Sequence, residues 1–195
     1  MAPYSHRQIE WMLRAVDTAR TADAKGDALE ELSKYLFEKV RGVECSGRNI
    51  LDAPRAHELD LAFWNDQRVS PLYFLDAVLV VECKATGSPV GSNAVGWFVL
   101  KLQDRGARHG ILVALNGITG SANRKTSAHS EVLNALVRSG IRILLLTRSE
   151  ILTLTDGDSL SSLLQRKLLR LTLDRVVHVD QTGNVSRPKS SRRKR

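Results

Sequence analysis

The segment VLVVECK, Val78 to Lys84, runs four apolar residues into a glutamate and a lysine two positions apart, Glu82 and Lys84. In an extended chain, residues i and i+2 share a face. The carboxylate and the ammonium therefore point together, and Val81 and Cys83 point the other way. Upstream, HELDLAFW (57–64) alternates as a strand does. It puts Glu58 and Asp60 on one face, with Leu59, Leu61 and Phe63 opposite. A hairpin that pairs Asp60 with Glu82 also pairs Ala62 with Val80 and Trp64 with Val78, leaving 65–77 for the connection and the strand ends. That register gathers several carboxylates and one lysine at one end of a sheet. Packed carboxylates without a positive partner are costly. Lys84 is one partner. A hard divalent cation is the other, because Mg2+ keeps several waters and takes one or two carboxylates together with a phosphate. A bare acid-x-Lys triplet is weak evidence, and Asp23-Ala24-Lys25 is a second copy in a polar break. The copy at 82–84 differs because it ends a buried strand behind an acidic one. The spacing alone leaves both readings open, a sheet-end salt bridge and a metal site.

The elements that must hold these residues follow from periodicity. Ile9, Met12, Leu13 and Val16 recur at helical spacing and predict an amphipathic helix over 4–21. The polar break TADAKGD follows, then a second helix over 27–40 with Leu29, Leu32, Leu36 and Val40 inward. YFLDAVLVVECK (73–84) reads as a long, buried strand. Ser92 is placed to cap a helix with Val95, Phe98, Val99 and Leu102 inward, ended by Gly106. GILVALN (110–116) and IRILLLT (141–147) read as buried strands around a helix over 125–139, and a last amphipathic helix covers 159–173. This alternation predicts one α/β domain, a central mixed β-sheet flanked by helices.

Composition limits the function classes. A chain of 195 residues, 43% hydrophobic, suffices for one domain with a substantial core. No apolar run approaches the roughly 18–20 residues of a membrane span. MAPYSHRQIEW has no apolar leader core, which argues against export. Cys45 and Cys83 form no metal-type pair and suit a reducing, cytoplasmic setting. The net charge is +8, but RPKSSRRKR (Arg187–Arg195) holds six basic residues. The remaining 23 basic residues face 21 acidic ones, so the folded part is nearly neutral. A flexible basic arm of this kind suits a phosphate backbone. NGITGSANRKTSAHS (116–130) adds Asn123, Arg124, Lys125 and His129 after a strand, as a phosphate-contacting loop or a plain polar turn.

ELDLAFWN followed by VVECKATGSPVGSNAVGWFVLKLQDRGARHGILVALNGITG resembles the PD-(D/E)xK nuclease superfamily, particularly its Mrr-like restriction endonuclease branch. GDALEELSKYLFEKVRG is similar to that branch's opening helix. The resemblance runs from Gly26 to Glu150 and implies a restriction endonuclease-like core. The chain is expected to divide into an N-terminal helix (1–25), a nuclease domain (26–175) and a basic tail (176–195) that its charge run marks as disordered. The resemblance implies a metal-dependent DNA endonuclease, working in restriction or defence, that uses Mg2+, with Mn2+ as a substitute, and leaves a 5′-phosphate and a 3′-hydroxyl. By the resemblance, Asp60 bridges the metal and Glu82 is a further ligand. The backbone carbonyl of Cys83 also ligates, and Lys84 orients or activates the attacking water. Glu30 matches the helix glutamate of part of the family. At ~100° per residue it sits at the edge of the Leu29/Leu32/Leu36/Val40 stripe, with Glu31 on the far side.

Accessory candidates are Glu58, which could share the role of Asp60, His57 beside it, and Lys101, facing the site, a phosphate or solvent. HEL stands where the superfamily's proline often precedes the aspartate, and GSNAVGWF carries no helper glutamine. The alternatives are a structure-specific, repair or RNA nuclease on the same fold, or a non-catalytic nucleic-acid-binding protein. The expected partner is DNA, not a membrane, and a homodimer is the simplest way to place two cuts.

Overall fold

Two side-chain caps set the first two helices. Ser5 accepts a hydrogen bond from Gln8 N–H and opens α1 (His6–Thr18). Thr21 accepts one from Ala24 N–H and opens α2 (Ala22–Glu38). The structure, a computed structural model, describes residues 3–51 and 58–173. The rest of the chain follows as β1 (Val43–Leu51), β2 (Glu58–Asn65), β3 (Val78–Lys84), α3 (Ser92–Asp104), β4 (His109–Ala114), α4 (Ala128–Ser139), β5 (Arg142–Leu146), α5 (Arg148–Ile151) and α6 (Gly157–Leu173).

The five strands lie in the order β1-β2-β3-β4-β5. Strand β2 runs antiparallel to both β1 and β3, and β3, β4 and β5 run parallel. The sheet is mixed and flanked by helices, as the alternation predicted. One face packs Leu61, Phe63, Val81, Val113 and Leu146 against Ile9 and Val16 of α1, Leu29 and Leu36 of α2, and Leu160 and Leu164 of α6. The other packs Val80, Leu112 and Ile143 against Val95, Phe98 and Leu102 of α3 and Ala135 of α4. Burial of each large apolar side chain contributes about 1.5–3 kcal/mol.

The expected hairpin register holds for Ala62 with Val80 and Trp64 with Val78, but the ladder stops at Leu61–Val81 and the expected pairing of Asp60 with Glu82 does not form. Other expectations need correction. The polar break TADAKGD is helical from Ala22, because Thr21 caps it and its polar residues form an outer turn of α2. The predicted strand over 73–84 begins only at Val78. Buried Asn65 donates through Nδ2 to the carbonyls of Leu72 and Asp76, both at 3.1 Å, and holds that stretch as a turn. Gly91, not Ser92, occupies the cap of α3, with no side-chain hydrogen bond. Strand β1 and the short α5 were not predicted. Strand β1 escapes an alternation test because its register shifts between Cys45 and Gly47, and Asn49 adopts φ 51°.

Gly110 shows why a glycine starts the GILV strand. A Cβ there would lie 2.5 Å from Leu102 Cδ1 and 2.7 Å from Phe98 Cζ. Its absence lets α3 lie close on β4. Gly110→Ala should therefore push α3 outward and cost about 1–3 kcal/mol, the usual range for overpacking a core. Thermal melting checks this; an unchanged melting temperature would show that α3 has slack over β4.

Candidate active site

Asp60 sits where the β2–β3 ladder stops. The last paired residues are Leu61 and Val81. The next donor, Cys83 N–H, is taken instead by the Asp60 side chain, with Oδ2 at 2.7 Å. The strand also turns here. Leu61 and Phe63 belong to the α1/α2/α6 core, whereas Leu59 packs in the α3/α4 core. The expected shared face of Leu59, Leu61 and Phe63 is thus broken at Asp60, opposite the irregular stretch of β1 at Asn49. Asparagine tolerates that left-handed conformation better than most residues. The kink frees the Asp60 carboxylate from alternation and directs it along the sheet toward β3. In an extended residue the N–H and C=O point to the same side, so the Cys83 carbonyl faces the space Asp60 occupies. The Cys83 side chain goes the other way, 3.3 Å from Ser33 Oγ on α2, and burial pushes its thiol pKa far up.

Glu82 is 2% exposed. Its Oε1 lies 2.8 Å from Lys84 Nζ and 2.8 Å from Lys101 Nζ, and Oε2 lies 2.8 Å from the same Lys101 ammonium. Lys84 shares the face of Glu82, as the two-residue spacing predicted. Lys101 comes from α3, seated between Phe98 and Leu102, and its side chain is 14% exposed. Asp60 is shifted upward, first by burial and then by the Glu82 carboxylate. Cys83 N–H, Lys84 and Lys101 counter this only in part. Burial pulls Lys84 down, but Glu82 in contact and Asp60 behind it outweigh that and hold it above the ordinary lysine value.

Glu30 is buried at the edge of the α2 stripe, as its helical angle predicted, and Glu31 is half exposed. Neither is alone. Arg48 of β1 donates through Nε to Glu30 Oε2 at 2.6 Å, and also pairs with Glu31 and with Asp27 at 3.0 Å. Burial raises the Glu30 pKa, Arg48 lowers it by less, and Asp60 and Asp27 add repulsion. Glu30 therefore shares the electrostatic field of Asp60. Sequence reasoning missed Arg48 because it missed β1. The available signal was three carboxylates, Asp27, Glu30 and Glu31, close together on one helix and requiring a cation.

The structure thus brings Asp60, Glu82, Cys83, Lys84 and Lys101 to one end of β2 and β3, with Glu30 paired to Arg48 and within the electrostatic reach of Asp60. Glu58 is exposed at the start of β2, and Lys84 pairs with Glu82 rather than with it. His57 and the basic tail lie outside the described residues. The turn after β4 is tied to the same end, since Asn116 Nδ2 donates to Thr86 O at 2.7 Å. Among the described residues, no three His, Cys, Asp or Glu side chains converge as a metal cluster. The available donors are two carboxylates and a peptide carbonyl. Asp60, with burial and Glu82 both disfavouring its charge, would gain from a further cation. This set fits Mg2+, which completes its shell with water and phosphate oxygens.

No helix among the described residues is long and apolar enough to cross a membrane. No curated protein matches the chain. A family model described as restriction endonuclease, built on the Mrr catalytic domain, matches residues 21–164. That span opens at the cap of α2, passes through every residue of the site and ends within α6. With most of its length matched and the mixed sheet in place, the chain belongs to the Mrr-type restriction endonuclease family, and its catalytic class is that of a nuclease.

Proposed function

We propose that this protein is a metal-dependent DNA endonuclease acting in restriction or defence against foreign DNA, in the cytoplasm. The observation that carries the reading is the meeting of Asp60, Glu82 and Lys84 at one sheet end, with the Asp60 carboxylate fixed by Cys83 N–H. Asp60, Glu82 and the Cys83 carbonyl would hold Mg2+. The ion supplies a Lewis acid that lowers the pKa of water and neutralises charge on the phosphate. Lys84 sits beside Glu82, where its ammonium orients the attacking water and offsets charge developing on the phosphoryl oxygens. Its raised pKa keeps it charged for that task. Water adds to phosphorus, the bond to the 3′ oxygen breaks, and the products carry a 5′-phosphate and a 3′-hydroxyl. Glu30, steadied by Arg48, adds negative charge near Asp60 and reinforces cation binding. Two copies would present one site to each strand. The first helix packs into the core of this domain, and the basic tail supplies phosphate contact.

Incubation with supercoiled plasmid tests the class. Nicking or linearisation that needs Mg2+ or Mn2+ and stops with EDTA supports it. Binding without cleavage points to a non-catalytic protein, and cleavage confined to branched DNA or RNA points to the other nucleases of this fold.

Asp60→Asn separates charge from geometry, because the amide oxygen can still accept from Cys83 N–H. Cleavage should be abolished, with DNA binding within a few-fold. The folded pKa of Asp60 is raised, so the folded protein binds more protons than the unfolded chain between the ordinary carboxylate value and the raised one. Stability must fall as pH rises through that window. Asp60→Asn should remove this fall and raise the metal-free melting temperature at neutral pH. A lower melting temperature would place the Asp60 charge among the stabilising groups.

Lys84→Ala should bind DNA almost normally and lose about 100- to 1,000-fold in turnover at saturating DNA and metal, as removal of one positioned electrostatic group does. Normal turnover would reduce Lys84 to a salt-bridge partner.

Glu30→Gln should slow cleavage measurably and Glu31→Gln should not, because only Glu30 is buried and feels the Asp60 charge. Equal effects in cleavage assays would remove Glu30 from the site.

A further inference from the structure

The second lysine changes the charge of the site. Asp60 and Glu82 with Lys84 alone would carry a net negative charge and attract a cation unaided. Lys101 brings the set to formal neutrality. It also fills space on Glu82, since the two lysines together engage both oxygens, and Oε1 twice. A carboxylate has about four lone-pair directions, and three contacts leave little room.

The contact also has a cost. A lysine on a helix ordinarily extends into water, and ordering and desolvating its ammonium is unfavourable. Lys101, 14% exposed, nonetheless grips both oxygens of a 2% exposed glutamate, so the pairing with Glu82 offsets that cost.

A divalent cation is left a single lone-pair direction, on Glu82 Oε2, unless an ammonium is displaced. Lys84 is two residues along the same strand and stays near whichever partner occupies the site. Lys101 hangs from a different element, α3, on a four-carbon stem, and can swing away. A phosphodiester arriving at the sheet end brings the negative charge that a displaced ammonium needs.

We propose that Lys101 is an internal counter-ion that holds Glu82 in place of the metal and releases it to the metal when the substrate phosphate arrives, so that metal and DNA bind as coupled ligands. This rests on the reading of the site given above. Linkage makes the coupling reciprocal: DNA tightens metal binding by the same factor by which metal tightens DNA binding.

Calorimetric titration of the full chain with Ca2+, a hard oxygen-seeking probe, tests this with and without a short DNA duplex. For the unaltered protein, the duplex should raise Ca2+ affinity by about 5- to 150-fold, the usual span of site coupling. Lys101→Met removes the ammonium and keeps much of the stem. It should bind Ca2+ about tenfold more tightly without DNA and lose most of the coupling, whereas Lys101→Arg should retain it. If Lys101→Met does not fold, Lys101→Gln carries the same expectation. A folded Lys101→Met or Lys101→Gln variant whose DNA-free Ca2+ affinity equals or falls below that of the unaltered protein overturns the role of Lys101 alone. An unaltered protein that binds no Ca2+ even on the duplex overturns the metal-site reading, and this inference with it.

Discussion

The carboxylate of Glu82 is buried at the end of a central strand, and its charge must be answered from inside the protein. An unpaired carboxylate in such a place would protonate or destabilise the fold. Two ammonium groups answer it, and each commits part of the architecture. Lys84 requires β3 to stay extended through its last residue, so that residues 82 and 84 share a face. Lys101 requires α3 to lie close across β4, and that in turn requires Gly110 with no side chain beneath Phe98 and Leu102. The apolar core on that side of the sheet therefore also positions a charge.

The acidic half of the site depends on a departure from regular structure. A strictly alternating β2 would send the Asp60 side chain off one face of the sheet. The turn of the strand between Leu59 and Leu61 brings it into the plane, where it takes the N–H that a longer β2 would have paired. One hydrogen bond thereby ties the two acidic positions together through the intervening peptide. Burial first, and then the nearby Glu82 carboxylate, raise the Asp60 pKa, so the site holds an unfavourable charge that a cation would relieve. Arg48 plays a parallel part at Glu30: one guanidinium of β1 spans three carboxylates of α2 and ties the helix acid to the sheet.

Much of this was legible in the sequence, and what was not has physical reasons. The two-residue spacing of Glu82 and Lys84 and the apolar run before them fixed strand and face. The pairings Ala62–Val80 and Trp64–Val78 followed from hairpin geometry alone. The helical angle separated Glu30 from Glu31. Strand β1 was hidden because Gly47 and Asn49 interrupt its alternation, and with it went Arg48. Helix α2 began earlier than its apolar stripe, because a capping threonine outweighs local polarity. Lys101 could not be separated from a surface lysine by pattern. Its position one residue before a core leucine fits either direction, and only the approach of α3 to β4 decides it.

The central claim is that Asp60 and Glu82 form a metal site assembled on a nucleic-acid phosphate. Anomalous diffraction from crystals of the protein with duplex DNA and Mn2+ tests it most directly. The account predicts a Mn2+ peak bonded to the Asp60 carboxylate and Glu82, next to a phosphate oxygen, with Lys101 moved off Glu82. A phosphate bound at this sheet end with Glu82 still held by both lysines and no Mn2+ beside Asp60 would contradict it.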